Sequence, residues 1–484
     1  MKEGLKRKAI KGVGWSFIDN IAGSGITFLV GLILARLLTP AEFGVIGMIT
    51  IFIAISNSIV DSGFSNALIR KTDASEKDYN TVFIFNLFVS LTLYVILFLC
   101  SPLISSFFKE PLLIPVTRVI GLVLIFNALC IIQRTLLNKE INFKTQTKIS
   151  VISSTGSGVI GIGMAVMGYG VWSLVSQQLS RQFLNALFLW IFNTWRPAFI
   201  FSKKSFDELF SFGSRLMISG IISTTYNNIY YFIIGKFYTS AELGQYTRAE
   251  QFKNIFSQNL TGIVQRVSYP VLSNIQTEEE RLLRAYRKVI KTTMLITFTL
   301  MLGMVAIAKP MILILIGDKW LPSVIYLQIM CFAGMLYPLH AINLNILQVK
   351  GRSDLFLKLE IIKKTLAVIP ITLGIALGIE FLLLGSVLNS FISFFLNSRY
   401  AEPLINYSTK QQVNDVFPAF AVSLVVALVM WLFTLTGWSN WIIISSQFAV
   451  GGILFYVIYE KLQLDEYKEI KGIIRDIVKK IENE

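Results

Sequence analysis

Fourteen predominantly apolar stretches, each near the roughly 20 residues needed to cross a bilayer, divide this sequence. They lie near residues 13 to 36, 43 to 65, 80 to 101, 114 to 132, 149 to 168, 170 to 192, 212 to 234, 246 to 269, 290 to 309, 323 to 347, 360 to 380, 382 to 400, 416 to 436 and 439 to 460. A segment inside hydrocarbon has no water to satisfy its peptide groups, so it bonds them internally as a helix. The expected fold is therefore an all-α polytopic membrane protein with about 14 transmembrane helices. Hydrophobic residues make up 54% of the 484 positions and charged ones 15%, with a mean hydropathy of +0.63, which leaves no room for a large soluble domain. The first stretch carries Asp19 and continues through Ala35 without an A-x-A-like cleavage site, so it is expected to remain as the first span.

The hairpin after that first stretch recurs 200 residues later. ARLLTPAEFG (35–44) and GKFYTSAELG (235–244) align without a gap; Thr39/Thr239, Ala41/Ala241, Glu42/Glu242 and Gly44/Gly244 are identical, and Arg36/Lys236 and Phe43/Leu243 are conservative pairs. So long a period marks a duplicated half rather than a solenoid unit. Six spans separate the copies, so both enter the membrane from the same side, and the halves are parallel repeats about a pseudo-two-fold axis along the membrane normal. The expected organisation is an N-terminal lobe at 1–194 (spans 1 to 6), a basic cytoplasmic linker at 195–211, a C-terminal lobe at 212–401 (spans 7 to 12), two added spans within 402–460 and a cytoplasmic tail at 461–484. Trp195 and Arg196 of the linker have the character of interface anchors. In the tail, Tyr467, Ile470, Ile474, Ile477, Val478 and Ile481 share one helical face opposite Lys468, Lys471, Arg475 and Lys479, the pattern of an interfacial helix on the inner leaflet.

The net charge of +15 raises the question of nucleic acid, and its distribution answers it. With the N-terminus cytoplasmic, thirty-five of the 44 Lys and Arg fall in inner segments, six in outer hairpins (Arg36, Lys109, Lys236, Arg248, Lys309 and Lys319) and three within spans. That asymmetry is the positive-inside rule, with both ends cytoplasmic. The basic balance reports topology and contact with anionic membrane lipid, and no nucleic-acid partner is expected. Cys100, Cys130 and Cys331 lie in or beside apolar segments with no CxxC, as small core residues do. A single histidine, His340, excludes a His-based metal cluster and any triad that needs His. With no GxxxxGK[ST] there is no Walker A loop for ATP. No cofactor is expected; energy, where required, comes from a gradient or a coupled process. The outer hairpins, such as MGYG at 167–170 and TGWSN at 436–440, are too short to house a catalytic domain.

Four spans carry a sustained polar stripe at helical spacing, and they are the flanks of the two repeated hairpins. Span 1 has Ser16, Asp19, Asn20, Gly23 and Thr27, and span 2 has Thr50, Asn57, Ser58, Asp61 and Ser65. Span 7 has Gly220, Ser223, Thr224, Asn227, Asn228 and Tyr231. Span 8 has Glu250, Lys253, Asn254, Ser257, Gln258, Thr261 and Gln265, with Arg266 near its inner end. Steps of three or four residues put each set on one side of its helix. A charge at a helix centre costs roughly 2.5 to 3.5 kcal/mol, so Asp19, Asp61, Arg181 and Lys253 facing lipid would forfeit on the order of 10 kcal/mol. Turning the stripes inward around a wet cavity removes most of that. The alternative for the neutral residues is plain bridging between helices. Arg118 of span 4, Arg181 of span 6, Arg215, Lys253 and Arg266 would make such a cavity attractive to an anion, such as a pyrophosphate linkage or an acidic sugar. Asp19, Asp61 and Glu250 are candidates for coupling to a proton or a sodium ion; pairing of acids with bases is the equal alternative. Pro338 and Pro370 should each interrupt a span, and His340 reads as a hydrogen-bonded structural histidine.

At these residues the chain resembles the Wzx-type polysaccharide flippases of the multidrug/oligosaccharidyl-lipid/polysaccharide exporter superfamily, and most of all the branch that contains the colanic-acid exporter. Carrying the resemblance, in order, are ARLLTPAEFG (35–44), DSGFSNALIR (61–70), the WRP...FS...FG...L linker (195–216), YPVLSNIQ (269–276), GDKWLP (317–322) and LQVKGRSDLFLKLE (347–360). It implies a transporter, not an enzyme, of the bacterial inner membrane. Its cargo would be an undecaprenyl-pyrophosphate-linked glycan moved from the cytoplasmic to the periplasmic leaflet by alternating access, with other polysaccharide assembly proteins as further partners. It also implies two six-helix lobes around a central cavity lined by the first two helices of each. The family shares no fixed catalytic motif, so the cavity residues named here rest on the stripes. The rival readings are a cation-coupled multidrug antiporter, which would favour an acidic, aromatic cavity, and a membrane-embedded polysaccharide polymerase, which would need a large outer loop.

Overall fold

The computed structural model describes residues 22–462, 466–468 and 471–472. Asp19 and Asn20, together with Ser16, and the apolar tail positions Ile470, Ile474, Ile477, Val478 and Ile481 lie outside the described residues. Each of the fourteen expected spans is mostly helical over its described part, some with a short break, so the protein is an all-α, multi-pass membrane protein. Among the described residues nine spans are long and apolar enough to cross a bilayer on hydropathy alone. The other five include three of the four polar-striped spans: span 1, whose described helix is short, and spans 7 and 8, in which the polar face dilutes the apolar one. Two compact units divide the chain, Met1–Gly244 and Gln245–Glu484.

In the first unit α1 (Ala22–Leu37) leads through the hairpin to α2 (Pro40–Asp61). A capping box between Thr39 and Glu42, with Pro40 in the first turn, starts α2. Ser62, at φ 47°, and Gly63, at φ 69°, end it, and the span resumes as α3 (Phe64–Arg70). A Cβ on Gly63 would lie 2.5 Å from the Gly213 carbonyl oxygen, so only glycine permits this crossing. The next span, α4 (Glu76–Phe108), is inside out by the standards of a soluble helix. Its buried face holds Asn86, Ser90, Ser101 and Ser105, while Phe88, Leu99 and Leu103 are exposed, as expected where lipid is the solvent and small polar residues pack between helices. Span 4 is α5 (Leu113–Ile120) and α6 (Val123–Lys139), followed by α7 (Phe143–Val166) and α8 (Val171–Phe192). Residues 193–202 are non-helical, and span 7 begins inside the expected linker as α9 (Lys203–Asn227), breaks at Asn228 and resumes as α10 (Ile229–Phe237).

The second unit contains α11 (Ser240–Asn274, which begins at the end of the first unit), α12 (Glu279–Leu315), α13 (Pro322–Gly334), α14 (Tyr337–Val349), α15 (Ser353–Leu377), α16 (Ile379–Ile405), α17 (Thr409–Leu432) and α18 (Asn440–Leu462). Span 10 breaks between α13 and α14, with Pro338 in the first turn of α14, as expected of a residue that tolerates only that part of a helix. At Pro370 the outcome differs: α15 runs through it, and Gly385 of α16 packs against the ring. The two added spans are integral to this unit. Arg287 of α12 holds Asp415 of α17 through two bonds of 2.8 and 3.0 Å, Tyr407 donates to the same carboxylate at 2.6 Å, and Gln447 of α18 donates to the carbonyls of Ala306 and Met430 at 3.1 and 2.9 Å. Beside them the buried Tyr286 hydroxyl donates to Asn343 at 2.7 Å, and Asn343 donates to Gln412 at 3.1 Å. Of the tail, Tyr467 stacks on Tyr459 and Lys471 pairs with Glu460 at 2.8 Å, which ties its start to α18.

Candidate functional site: the repeated hairpins and their polar helices

Inside the first unit the two copies of the repeated hairpin meet. Each is built alike: Thr39 and Thr239 donate through hydroxyl and backbone N–H to the carboxylates of Glu42 and Glu242, over 2.6 to 2.9 Å. A Cβ built on Gly44 would lie 1.7 Å from the Ser240 carbonyl oxygen, and one built on Gly244 would lie 1.8 Å from the Pro40 carbonyl oxygen. Position 40 corresponds to 240 and position 44 to 244, so the contact is reciprocal, the signature of a local two-fold. Leu243 and Phe43 beside the glycines are buried. The glycines stand out in the sequence; that they face each other's partner carbonyl does not.

The polar stripes of spans 2 and 7 also come together in this unit. Ser58 of α2 and Thr224 of α9 share a hydrogen bond of 2.9 Å. Below it Asn57 accepts from Asn127 of α6 at 2.9 Å, which is the bridging role open to neutral residues. Asp61, the last residue of α2, accepts from the Ser65 hydroxyl across the Ser62–Gly63 break. Asn227 ends α9 exposed, and Asn228 occupies the break itself, its side chain donating to the Thr224 carbonyl at 2.8 Å. The candidate polar groups of spans 2 and 7 therefore sit at two helix discontinuities, where freed backbone carbonyls and amides add polar ligands. The sequence reading missed both breaks, although Ser62–Gly63 is a turn dipeptide that could have marked the first. Arg215 lies exposed on α9. Arg181 is half-buried on α8. Arg118 is folded against α4, donating to Ser101 at 3.0 Å with its guanidinium 4.5 Å from the Phe98 ring centroid, a cation–π contact.

In the second unit the candidates lie along α11. Lys253 is only 4% exposed. Its stem runs over Gly334, where a Cβ would come within 3.2 Å of it, and its ammonium reaches 5.2 Å from the Tyr337 ring centroid. The break between α13 and α14 makes this possible, by turning Tyr337 toward the lysine and leaving Gly334 as a bare floor. Asn254 keeps a buried Oδ1 with no hydrogen-bond partner, and Ser257 has a buried hydroxyl in the same condition. Such groups mark a place for water or cargo, because orphaned polar atoms cost about 1 to 3 kcal/mol each. Glu250 accepts from Tyr246 at 3.2 Å. Gln258 and Arg266 are exposed. His340 shares a 3.0 Å hydrogen bond with Ser390, in keeping with a structural histidine. Between α12, α17 and α18 an apolar crevice of about 630 Å³ is lined by residues that include Met304, Met430, Phe448, Gly452 and Phe455.

Known proteins share this architecture. A solved structure described as a lipid II flippase MurJ in an inward closed conformation superposes with a TM-score of 0.73 over 94% of this chain and 100% of its own, at 15% identity, which speaks to the fold. The teichuronic acid biosynthesis protein TuaB of Bacillus subtilis (strain 168) is 28% identical over 353 residues, 72% of this chain and 73% of that one. The lipopolysaccharide biosynthesis protein WzxC of Escherichia coli (strain K12) is 24% identical over 432 residues, covering 87% and 86%. Residues 33–325 match the model of the family described as polysaccharide biosynthesis protein, and with well over half of its length inside that match the chain belongs to this family.

Proposed function

We propose that this membrane transport protein of polysaccharide biosynthesis is a flippase, which carries an undecaprenyl-pyrophosphate-linked oligosaccharide unit from the cytoplasmic to the periplasmic leaflet by alternating access. It would do so in the bacterial inner membrane with both termini cytoplasmic. The observation that supports this most is the reciprocal glycine contact. Two copies of one hairpin meet through backbone shape, a closure that can part and re-form without stranding a buried charge. In the proposed topology that closure is the outer gate. A glycan and two phosphates cannot cross hydrocarbon unaided, and the stripes of spans 1, 2, 7 and 8 offer them polar partners on the way. Arg118, Arg181, Arg215, Lys253 and Arg266 are the cations proposed to hold the pyrophosphate, with Asn20, Asn227, Asn228, Asn254 and Gln258 for the sugars. Asp19, Asp61 and Glu250 are the proposed groups for coupling to a proton or sodium ion. The apolar crevice beside α18 suits an isoprenoid chain, which stays in a lipid-like environment while its head group moves.

Reconstitution tests the reading. Purified protein in vesicles with a lipid-linked oligosaccharide should make the inner-leaflet glycan accessible to an external, membrane-impermeant glycosidase. Accessibility no greater than in protein-free vesicles, with cationic-drug exchange for protons or sodium in its place, would establish the antiporter reading instead.

A further inference from the structure

We propose that the strap between α8 and α9 carries a lipid wedge, residues 199–201, which seats in an anionic membrane leaflet beside the spans. The backbone here is held, not loose. Trp195 donates to Glu76 at 2.9 Å, the Ala198 amide donates to Asn80 at 2.7 Å, and the Ser202 amide donates to Thr81 at 3.0 Å, so the strap climbs the first turns of α4. Between these ties the Ile200 amide bonds the Ala198 carbonyl at 2.8 Å, closing a three-residue turn with Phe199 at its apex. Phe199 is 95% exposed, and Ile200 and Phe201 are about half exposed. An aromatic fixed at the tip of a tight turn has no fold-internal use, and water is its least favourable surroundings.

Three observations select lipid as the occupant. First, the strap is non-helical, and such backbone stays at the interface rather than in hydrocarbon; only its side chains can dip in. Second, it is fastened to the end of a membrane-crossing helix, so the bilayer surface is adjacent. Third, the charge fits head-group phosphates. Lys203 and Lys204 follow the wedge, both exposed, and Arg196 precedes it, folded over the Trp190 ring and the carbonyls at the end of α8. Of the nearby acids, Glu208 and Asp78 are both engaged by Lys71 and Glu76 accepts from the Trp195 indole N–H, which leaves Asp207 beside the two lysines.

The test uses the full chain, with Cys100→Ala, Cys130→Ala and Cys331→Ser, reconstituted in vesicles of phosphatidylethanolamine and phosphatidylglycerol. Phe199→Cys carries an environment-sensitive fluorophore, and Glu280→Cys serves as the aqueous control. The label at 199 should emit at shorter wavelength and be quenched several-fold more strongly than the control by a lipid with a doxyl group near its head. That quenching should weaken when phosphatidylcholine replaces phosphatidylglycerol, or when Lys203→Ala and Lys204→Ala are added. Equal quenching of both labels by aqueous iodide would overturn the proposal. So would a label at 199 shielded from iodide and doxyl lipid alike, which would assign the wedge to a protein partner or a second copy of the chain.

Discussion

Replacing Gly44 by alanine sets two effects of opposite sign against each other. Alanine is favoured over glycine inside a helix by about 1 kcal/mol, which would stabilise α2. Against this, the new Cβ falls 1.7 Å from the Ser240 carbonyl oxygen, where carbon and oxygen settle no closer than about 3.3 Å. The obstacle is backbone and cannot rotate aside, so the hairpins must separate by about 1.6 Å. Overpacking of this kind typically costs about 1 to 3 kcal/mol, so the clash outweighs the propensity gain. As a shift between closed and parted states, that range is about 5- to 150-fold. Leu243, fully buried at the contact, supplies the readout. With Leu243→Cys in a chain otherwise free of cysteine, labelling by a small charged thiol reagent should quicken within that range when Gly44→Ala is added. By reciprocity Gly244→Ala, read from Phe43→Cys, should do the same. The two together should give less than the sum, because the first has already parted the contact. Unchanged labelling with a raised melting temperature would mean that propensity wins and that the glycines hold no gate.

Three further outcomes follow from the same geometry. A Cβ on Gly452 meets nothing within 4 Å in the apolar crevice, so Gly452→Trp should fill that space and lower glycan export while the protein level stays near normal; normal export would separate the crevice from the transport path. Asp415→Ala strands Arg287 and the Tyr407 hydroxyl and should lower stability by about 2 kcal/mol, seen as an earlier thermal transition that Asp415→Asn restores in part. Lys253→Met keeps the packing over Gly334 and removes the ammonium, and Arg181→Ala removes a second cation. Both should reduce export at normal protein level, and unimpaired export in both would remove the anion-binding proposal.

What could be read from the sequence was whatever depends on local pattern. Twenty apolar residues in a row make a span wherever they fall, and all fourteen are mostly helical over their described parts. Pro338 acts within its own turn, so the break in span 10 was legible. The turn dipeptide Ser62–Gly63 hinted at its break, but the crossing that fixes it lies 150 residues away at Gly213, and no Gly or Pro marks the break at Asn228. Pro370 shows the converse, a helix breaker overruled by a snug partner helix at Gly385. The stripes of spans 2 and 7 meet at one pair, Ser58 and Thr224. Their cations were another matter: nothing near Arg118 or Lys253 in sequence announces Phe98 or Tyr337, the rings they lie against. The repeat was plain as a repeat. That its two glycines interlock became visible only in three dimensions.

The most direct test of the central claim is the leaflet distribution of lipid-linked glycans in cells depleted of this protein, scored beside sensitivity to cationic drugs. The flippase reading predicts that a lipid-linked oligosaccharide accumulates on the cytoplasmic side while drug sensitivity is unchanged. An unchanged glycan distribution with raised drug sensitivity would contradict it and make the basic residues of the stripes part of an antiporter.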